Sequence, residues 1–109
     1  MRNARVKLPA TIRAGDVIEV ITMVFHPNES GFRLDNVGKP IPRHVITSFT
    51  CRYGGELVFS AALHPAIATN PYLSFYLAAT HSGELEFTWR DDRGAELVER
   101  VPLRLLGAD

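Results

Sequence analysis

Few side chains in this sequence have the intrinsic chemistry to attack a bond, hold a metal or move a proton. Cys51 is the sole thiol, His26 and His64 each precede a proline, and Asp91 and Asp92 are adjacent acids. A reactive thiol needs exposure and a base or cation beside it. Cys51 lies between Thr50 and Arg52, in phase with Phe49, the pattern of a small buried hydrophobe; the alternative is an accessible or partner-linked thiol. His26 and His64 could begin a metal site, with Glu29 the nearest third ligand. Catalytic zinc usually takes three protein ligands, and no convincing third is evident. The alternative is that each histidine orders its own loop through a backbone hydrogen bond. His44 and His81 read as ordinary strand-end or turn residues, and Asp91-Asp92 before Arg93-Gly94 reads as a solvated hairpin turn. There is no G-x-S-x-G elbow, and Gly54-Gly55 has no helix after it to cradle a phosphate. No catalytic, cofactor or metal residue is assigned.

The elements that would position these residues are strands. Gly and Pro recur every ten residues or so, and Val, Ile and Thr concentrate in the short runs between them. Residues 4–8 read as a weak first strand. Residues 17–26 read as a long one, with Ile18, Val20, Thr22 and Val24 facing inward. Residues 43–53 follow, with Val45, Phe49 and Cys51 on one face, and Gly54-Gly55 turns the chain into 56–62. After 72–79, the cleanest alternation is in 84–90, where Leu85, Phe87 and Trp89 interleave with Glu84, Glu86, Thr88 and Arg90. Residues 95–105 close the sheet, and Pro102 demotes part of that run to an edge. Seven strands predict an all-β, immunoglobulin-like antiparallel sandwich in a single domain spanning residues 1–109.

Composition agrees. The chain has 109 residues, 46% of them apolar and 22% charged, as an ordinary globular domain does. Twelve basic residues balance twelve acidic ones. That neutrality argues against a nucleic-acid or anionic-membrane partner, both of which favour a basic excess. One cysteine excludes an internal disulfide. The start, MRNARVKLP, has no apolar stretch long enough for a signal peptide, which alone points to the cytoplasm.

What remains distinctive is a pair of loops, 27–42 and 64–71, each rich in glycine or proline. If successive strands are antiparallel, both loops and the 91–94 turn share one end of the sandwich. Ile67 and Tyr72 put apolar side chains where a surface loop should be polar, so they pack over the sandwich or against another protein.

These loops also carry a family pattern. The stretch HPNESGFRLDNVGKPIPRHVITSFTC resembles the HPMESG…IPR…I…F.C segment of SoxZ proteins. FSAALHPAIATNPYLSFYL is similar to the family's FSADLHPAISANPYLSF, and GELEFTWRDDRG to its G.FEFTWTDDDG. The resemblance spans nearly the whole chain, departing at Asn28, where the family often has Met, and in the final LRLLGAD. It implies a non-catalytic subunit of the SoxYZ carrier complex of bacterial thiosulfate oxidation. In that system SoxY holds sulfur intermediates on a cysteine of a glycine-rich C-terminal arm, and the Z subunit presents them to other Sox enzymes. The resemblance further implies a heterodimer with SoxY, transient contacts with other Sox enzymes and no cofactor. It also implies a periplasmic location, reached on the signal peptide of SoxY. His26, Glu29, Arg33, His64, Asn70 and Tyr72 are the expected partner contacts. Without SoxY, the exposed partner-sized face would favour a homodimer. The alternatives are a generic immunoglobulin-like structural or interaction module, and a small enzyme using His26, His64 or Cys51.

Overall fold

The computed structural model describes residues 3–63 and 71–107. Among them lie seven strands: β1 (Ala4–Lys7), β2 (Val17–Val24), β3 (Ile46–Tyr53), β4 (Glu56–Ala62), β5 (Tyr72–Ala78), β6 (Gly83–Asp91) and β7 (Glu96–Leu103). They form a three-stranded sheet in the order β1-β2-β5 and a four-stranded sheet in the order β4-β3-β6-β7. Every pairing is antiparallel, as the alternating sequence requires. The fold is the expected all-β sandwich.

The core follows the period-two pattern. Val20, Val24, Phe49, Cys51, Leu85, Phe87 and Trp89 have no accessible surface, and Ile18 and Thr22 are also buried. Phe49 touches Phe59, Phe87 and Trp89 within its own sheet, and reaches across the sandwich to Phe75 at 6.1 Å between ring centres. Phe59 stacks on Phe75 at 4.4 Å, a second bridge between the layers. Thr22 is a polar residue on the inward face, and its hydroxyl donates to the Leu73 carbonyl at 2.9 Å. Pro102 does lie in an edge strand, opposite Glu84, where its missing N–H costs no ladder bond on a far side.

At the loop end, β2 and β3 stop short of the residue pattern. β2 ends at Val24 rather than His26, and β3 begins at Ile46 rather than Arg43. The cause is local. Asn28 takes a left-handed backbone with φ of 47°, which turns the chain out of the sheet, and its Oδ1 then accepts the Ile46 N–H at 3.0 Å. At the opposite end, Gly54 and Gly55 both have positive φ, as a two-residue hairpin needs. The Tyr53 hydroxyl there accepts the N–H groups of Thr80 and His81, at 3.1 and 3.0 Å, and donates to the His81 carbonyl. His81 stacks on the same ring at 4.3 Å. One phenol thus ties the end of β3 to the connection between β5 and β6.

The registers place the loops. Met23 pairs with Tyr72, Ser48 with Ala62, and Ile46 with Asp91. The connection from β2 to β3, both flanks of the segment 64–70 and the 91–95 turn therefore share one end of the sandwich.

Candidate functional site

At that end the chain builds a small arm. Glu29 and His44 exchange backbone hydrogen bonds of 2.7 and 2.8 Å, and the Ile41 N–H donates to Arg33 O at 2.8 Å. The tip closes where Asp35 Oδ1 accepts the Val37 and Lys39 N–H groups. Every residue from 32 to 40 is exposed, including Phe32 at 89% and Val37 at 77%. The residue pattern predicts a polar loop here, and the structure shows apolar side chains held out into solvent.

The base of the arm is clamped to the sandwich by a buried polar cluster. The His44 Nε2–H donates to Asp91 Oδ2 at 2.8 Å, and His26 Nε2 lies 3.6 Å from the same oxygen. The two imidazoles meet edge to face at 4.3 Å. Asp91 Oδ1 accepts the Arg93 and Ala95 N–H groups at 3.0 and 2.9 Å. Asp92 completes the clamp: its N–H donates to Val45 O at 2.9 Å and its Oδ1 accepts the Val45 N–H at 3.2 Å. Burial lowers the His26 pKa, and the neighbouring His44 lowers it further. Burial pushes the Asp91 carboxyl up, but the hydrogen bonds from His44, Ala95 and Arg93 outweigh it and hold the carboxyl below its ordinary value.

His26, His44 and Asp91 bring three ligand-type atoms within 4.8 Å of one another. Their proton placement does not suit a cation. The Asn28 N–H donates to His26 Nδ1 at 2.9 Å, so that nitrogen is a lone-pair acceptor and the ring proton of neutral His26 sits on Nε2. A metal-bound histidine has the reverse polarity: its far nitrogen donates outward while the near one offers its lone pair. The cluster is built to seat N–H groups around one carboxylate, and it works as a structural clamp.

Cys51 is equally unsuited to chemistry. It has no accessible surface, and burial pushes its thiol up to about 12. Its thiolate is therefore scarce at neutral pH, and no reagent reaches it.

The expected contact residues separate into groups. His26 is only 2% exposed, which corrects its expected place at the surface: its ring sits under Asp91 and braces the loop through the Asn28 N–H. Glu29 and Arg33 form a two-pronged ion pair at the arm's base, with the Arg33 side chain 66% exposed. Tyr72 is 64% exposed at the start of β5. His64 and Asn70 lie outside the described residues. The residue pattern also understates two members of the clamp. His44 is more than a strand-end residue, and Asp91 is buried rather than solvated. Asp91 is in phase with Leu85, Phe87 and Trp89, so the alternation of β6 already points it inward.

The outer faces of the two sheets differ in character. On the four-stranded sheet, Arg90 pairs with Glu96 at 2.7 Å, and Arg100 with Glu86 and Glu84 at 3.1 and 3.7 Å. Arg90, Glu96, Arg100 and Glu86 line a polar depression of about 440 Å³. The three-stranded sheet carries a mostly apolar groove of about 280 Å³, lined in part by Ile21, Met23 and Tyr72 with Arg5 and Lys7 at its border.

Among solved structures, the chain is similar to a superoxide reductase (neelaredoxin) from Ignicoccus hospitalis. The identity is 19%, covering 95% of this chain and 80% of that one, with a TM-score of 0.73. A putative superoxide reductase from Thermotoga maritima gives 11% identity over 94% and 84%, with a TM-score of 0.69. The sulfur carrier protein SoxY from Chlorobium limicola f thiosulfatophilum gives 12% over 96% and 80%, with a TM-score of 0.67. At these identities the likeness is one of fold. No curated protein sequence matches. The family model of the sulphur oxidation protein SoxZ matches residues 6–102, almost the full length of the sandwich and both sides of the clamp. The chain therefore belongs to the SoxZ family of sulfur-oxidation proteins.

Proposed function

We propose that this protein is the non-catalytic subunit of a two-chain sulfur carrier. It would bind a SoxY subunit and present the sulfur intermediates on that subunit's thiol to other enzymes of thiosulfate oxidation. The observation that carries the reading is the buried, high-pKa Cys51 in a chain of the SoxZ family. A carrier needs a mobile, ionisable thiol, and the only thiol here is neither, so the partner must supply it. The clamped arm supports the same reading. A rigid projection with exposed Phe32, Leu34 and Val37 meets a partner at little cost in ordering entropy. The expected contacts Glu29, Arg33 and Tyr72, together with His64 and Asn70, belong to this proposal, and so does a periplasmic location shared with SoxY.

The test is co-expression with the SoxY encoded in the same organism, followed by affinity capture and a reconstituted thiosulfate-oxidation assay. The expected result is a 1:1 complex whose turnover needs both chains and depends on the thiol of SoxY, with Cys51→Ala as active as the wild type. A folded SoxY that elutes alone, or turnover abolished by Cys51→Ala in a chain that remains folded, refutes the reading.

A further inference from the structure

Resting on that reading, we infer that the partner docks on the outer face of the three-stranded sheet, along a surface that runs from Tyr72 at the loop end past Tyr76 to Val17 at the other end. The strand phase decides which side chains face outward. Ile18, Val20, Thr22 and Val24 of β2 and Phe75 and Leu77 of β5 are buried in the core, so Val17, Ile21, Met23, Tyr72 and Tyr76 point the other way. The register lines them along one face: Met23 opposite Tyr72, Ile21 opposite Ser74, Glu19 opposite Tyr76 and Val17 opposite Ala78. Val17 is 69% exposed, Tyr72 64% and Tyr76 72%. Two exposed tyrosines within an aliphatic sheet face are what an interface core favours, because each offers a large, stiff apolar area with a polar tip.

The opposite outer face has the reverse design. Arg90 and Arg100 there are already paired with Glu96, Glu84 and Glu86, so covering them would strip solvent from charges that gain no new partner. Water is the natural neighbour of that sheet.

The charges around the apolar face describe the occupant. Arg5 and Lys7 stand on β1, opposite Met23 and Ile21, at the edge of the groove. The lone acid on this face of β2 and β5 is Glu19, opposite Tyr76. The partner surface that fits is apolar at its middle, with carboxylates facing Arg5 and Lys7. Strands of four, eight and seven residues give a plane on the order of 300 Å². A standard interface needs roughly 800 Å² from each partner. The sheet face thus supplies the apolar centre, and flanking segments supply the rim. Tyr72 sits where this face meets the loop end, so the permanent contact adjoins the arm without covering its tip. One chain could then hold its carrier with a sheet face and meet visiting enzymes with the arm.

The experiment measures binding of purified SoxY to three forms of the chain: wild type, the double variant Val17→Arg/Tyr76→Arg, and Glu84→Arg on the other sheet. The double variant and Glu84→Arg raise the net charge equally, so a nonspecific charge effect cancels. The expected outcome is a Kd at least 100-fold weaker for the double variant alone. A photo-crosslinking residue gives an independent readout in an otherwise native chain: at position 76 it should attach to SoxY, and at position 84 it should not. Tight wild-type binding with a double variant within threefold of it, or with Glu84→Arg weakened equally, or crosslinking from position 84 only, overturns the face assignment and leaves the carrier reading intact. A wild-type chain that ignores SoxY overturns the carrier reading and this inference with it. A wild-type chain that ignores SoxY but dimerises through position 76 makes the occupant a second copy, which also overturns the inference.

Discussion

Removing the Asp91 carboxylate should loosen the loop end more than any other single polar change there. In Asp91→Ala the His44 Nε2–H loses its acceptor at 2.8 Å, and the N–H groups of Arg93 and Ala95 lose theirs. A hydrogen bond to a charged group contributes about 1.5–3 kcal/mol. The His44 bond is largely shielded and takes a value near the middle of that range. Arg93 and Ala95 are exposed, so water replaces most of what their N–H groups lose, leaving roughly 0.5 kcal/mol each. The total is about 3 kcal/mol, which at this chain length lowers Tm by roughly 12–24 °C. Asp91→Asn keeps an oxygen for the turn but sets an NH2 group near the two imidazole N–H groups. His44 can answer by changing tautomer, whereas His26 is held by the Asn28 N–H. That variant should lose about half as much. Trp89 has no accessible surface in the folded state, so urea denaturation followed by its fluorescence reports the change directly. The pH dependence adds a second signature. With a folded pKa below 6.5, His26 binds fewer protons in the native chain than in the unfolded one, so stability is complete above that value and falls as the pH drops below it. Asp91, lowered from 3.8, has the same sign at lower pH: its contribution is lost as acid protonates the folded carboxyl. Removing Asp91 abolishes this lower limb. It also removes an attraction that favours the charged form of His26, so the loss below pH 6.5 should steepen. A loss under 1 kcal/mol at pH 7.5, or identical losses for the Ala and Asn variants, would refute the clamp.

Other consequences are as direct. Tyr53→Phe removes three hydrogen bonds between β3 and the β5–β6 connection and should cost about 2 kcal/mol in urea melts, with a loss below 0.5 kcal/mol ruling out the lock. Native Cys51 should resist iodoacetamide at pH 8 for hours and react within minutes once unfolded, whereas rapid native labelling would show an accessible thiolate. Added Zn²⁺ at neutral pH should leave the Tm unchanged, because the ring proton of His26 occupies the nitrogen a metal would need. A rise of several degrees that His44→Ala abolishes would show that the cluster binds metal after all.

Strand identity was legible in the residues because it is a local property. Leu85, Phe87 and Trp89 alternate with polar neighbours, and they are buried as that pattern requires. The loop cluster was legible too, since antiparallel strands must return their connections to alternate ends. The clamp was harder to see. Its members, at 26, 44 and 91, are far apart in sequence, and no periodicity links a histidine after one strand to an aspartate at the end of another. A residue opening a loop is usually exposed, so the residue pattern puts His26 at the surface, whereas the chain turns at Asn28, with its positive φ, and His26 is buried. The exposed arm residues Phe32, Leu34 and Val37 were concealed by the glycines and charges around them.

By itself, then, the sequence determined the strands, the inward faces, the poor prospects of Cys51 as a nucleophile and the family pattern, all of which follow from short-range periodicity or ordered motifs. The tertiary structure decided which polar groups met. It drew two histidines onto one buried carboxylate, and it matched the arginines and glutamates of one sheet while leaving the other with tyrosines and aliphatic side chains. Both outcomes depend on strand register and on the pairing of segments distant in the chain. Those are set by the packing of the whole core, which no local pattern encodes.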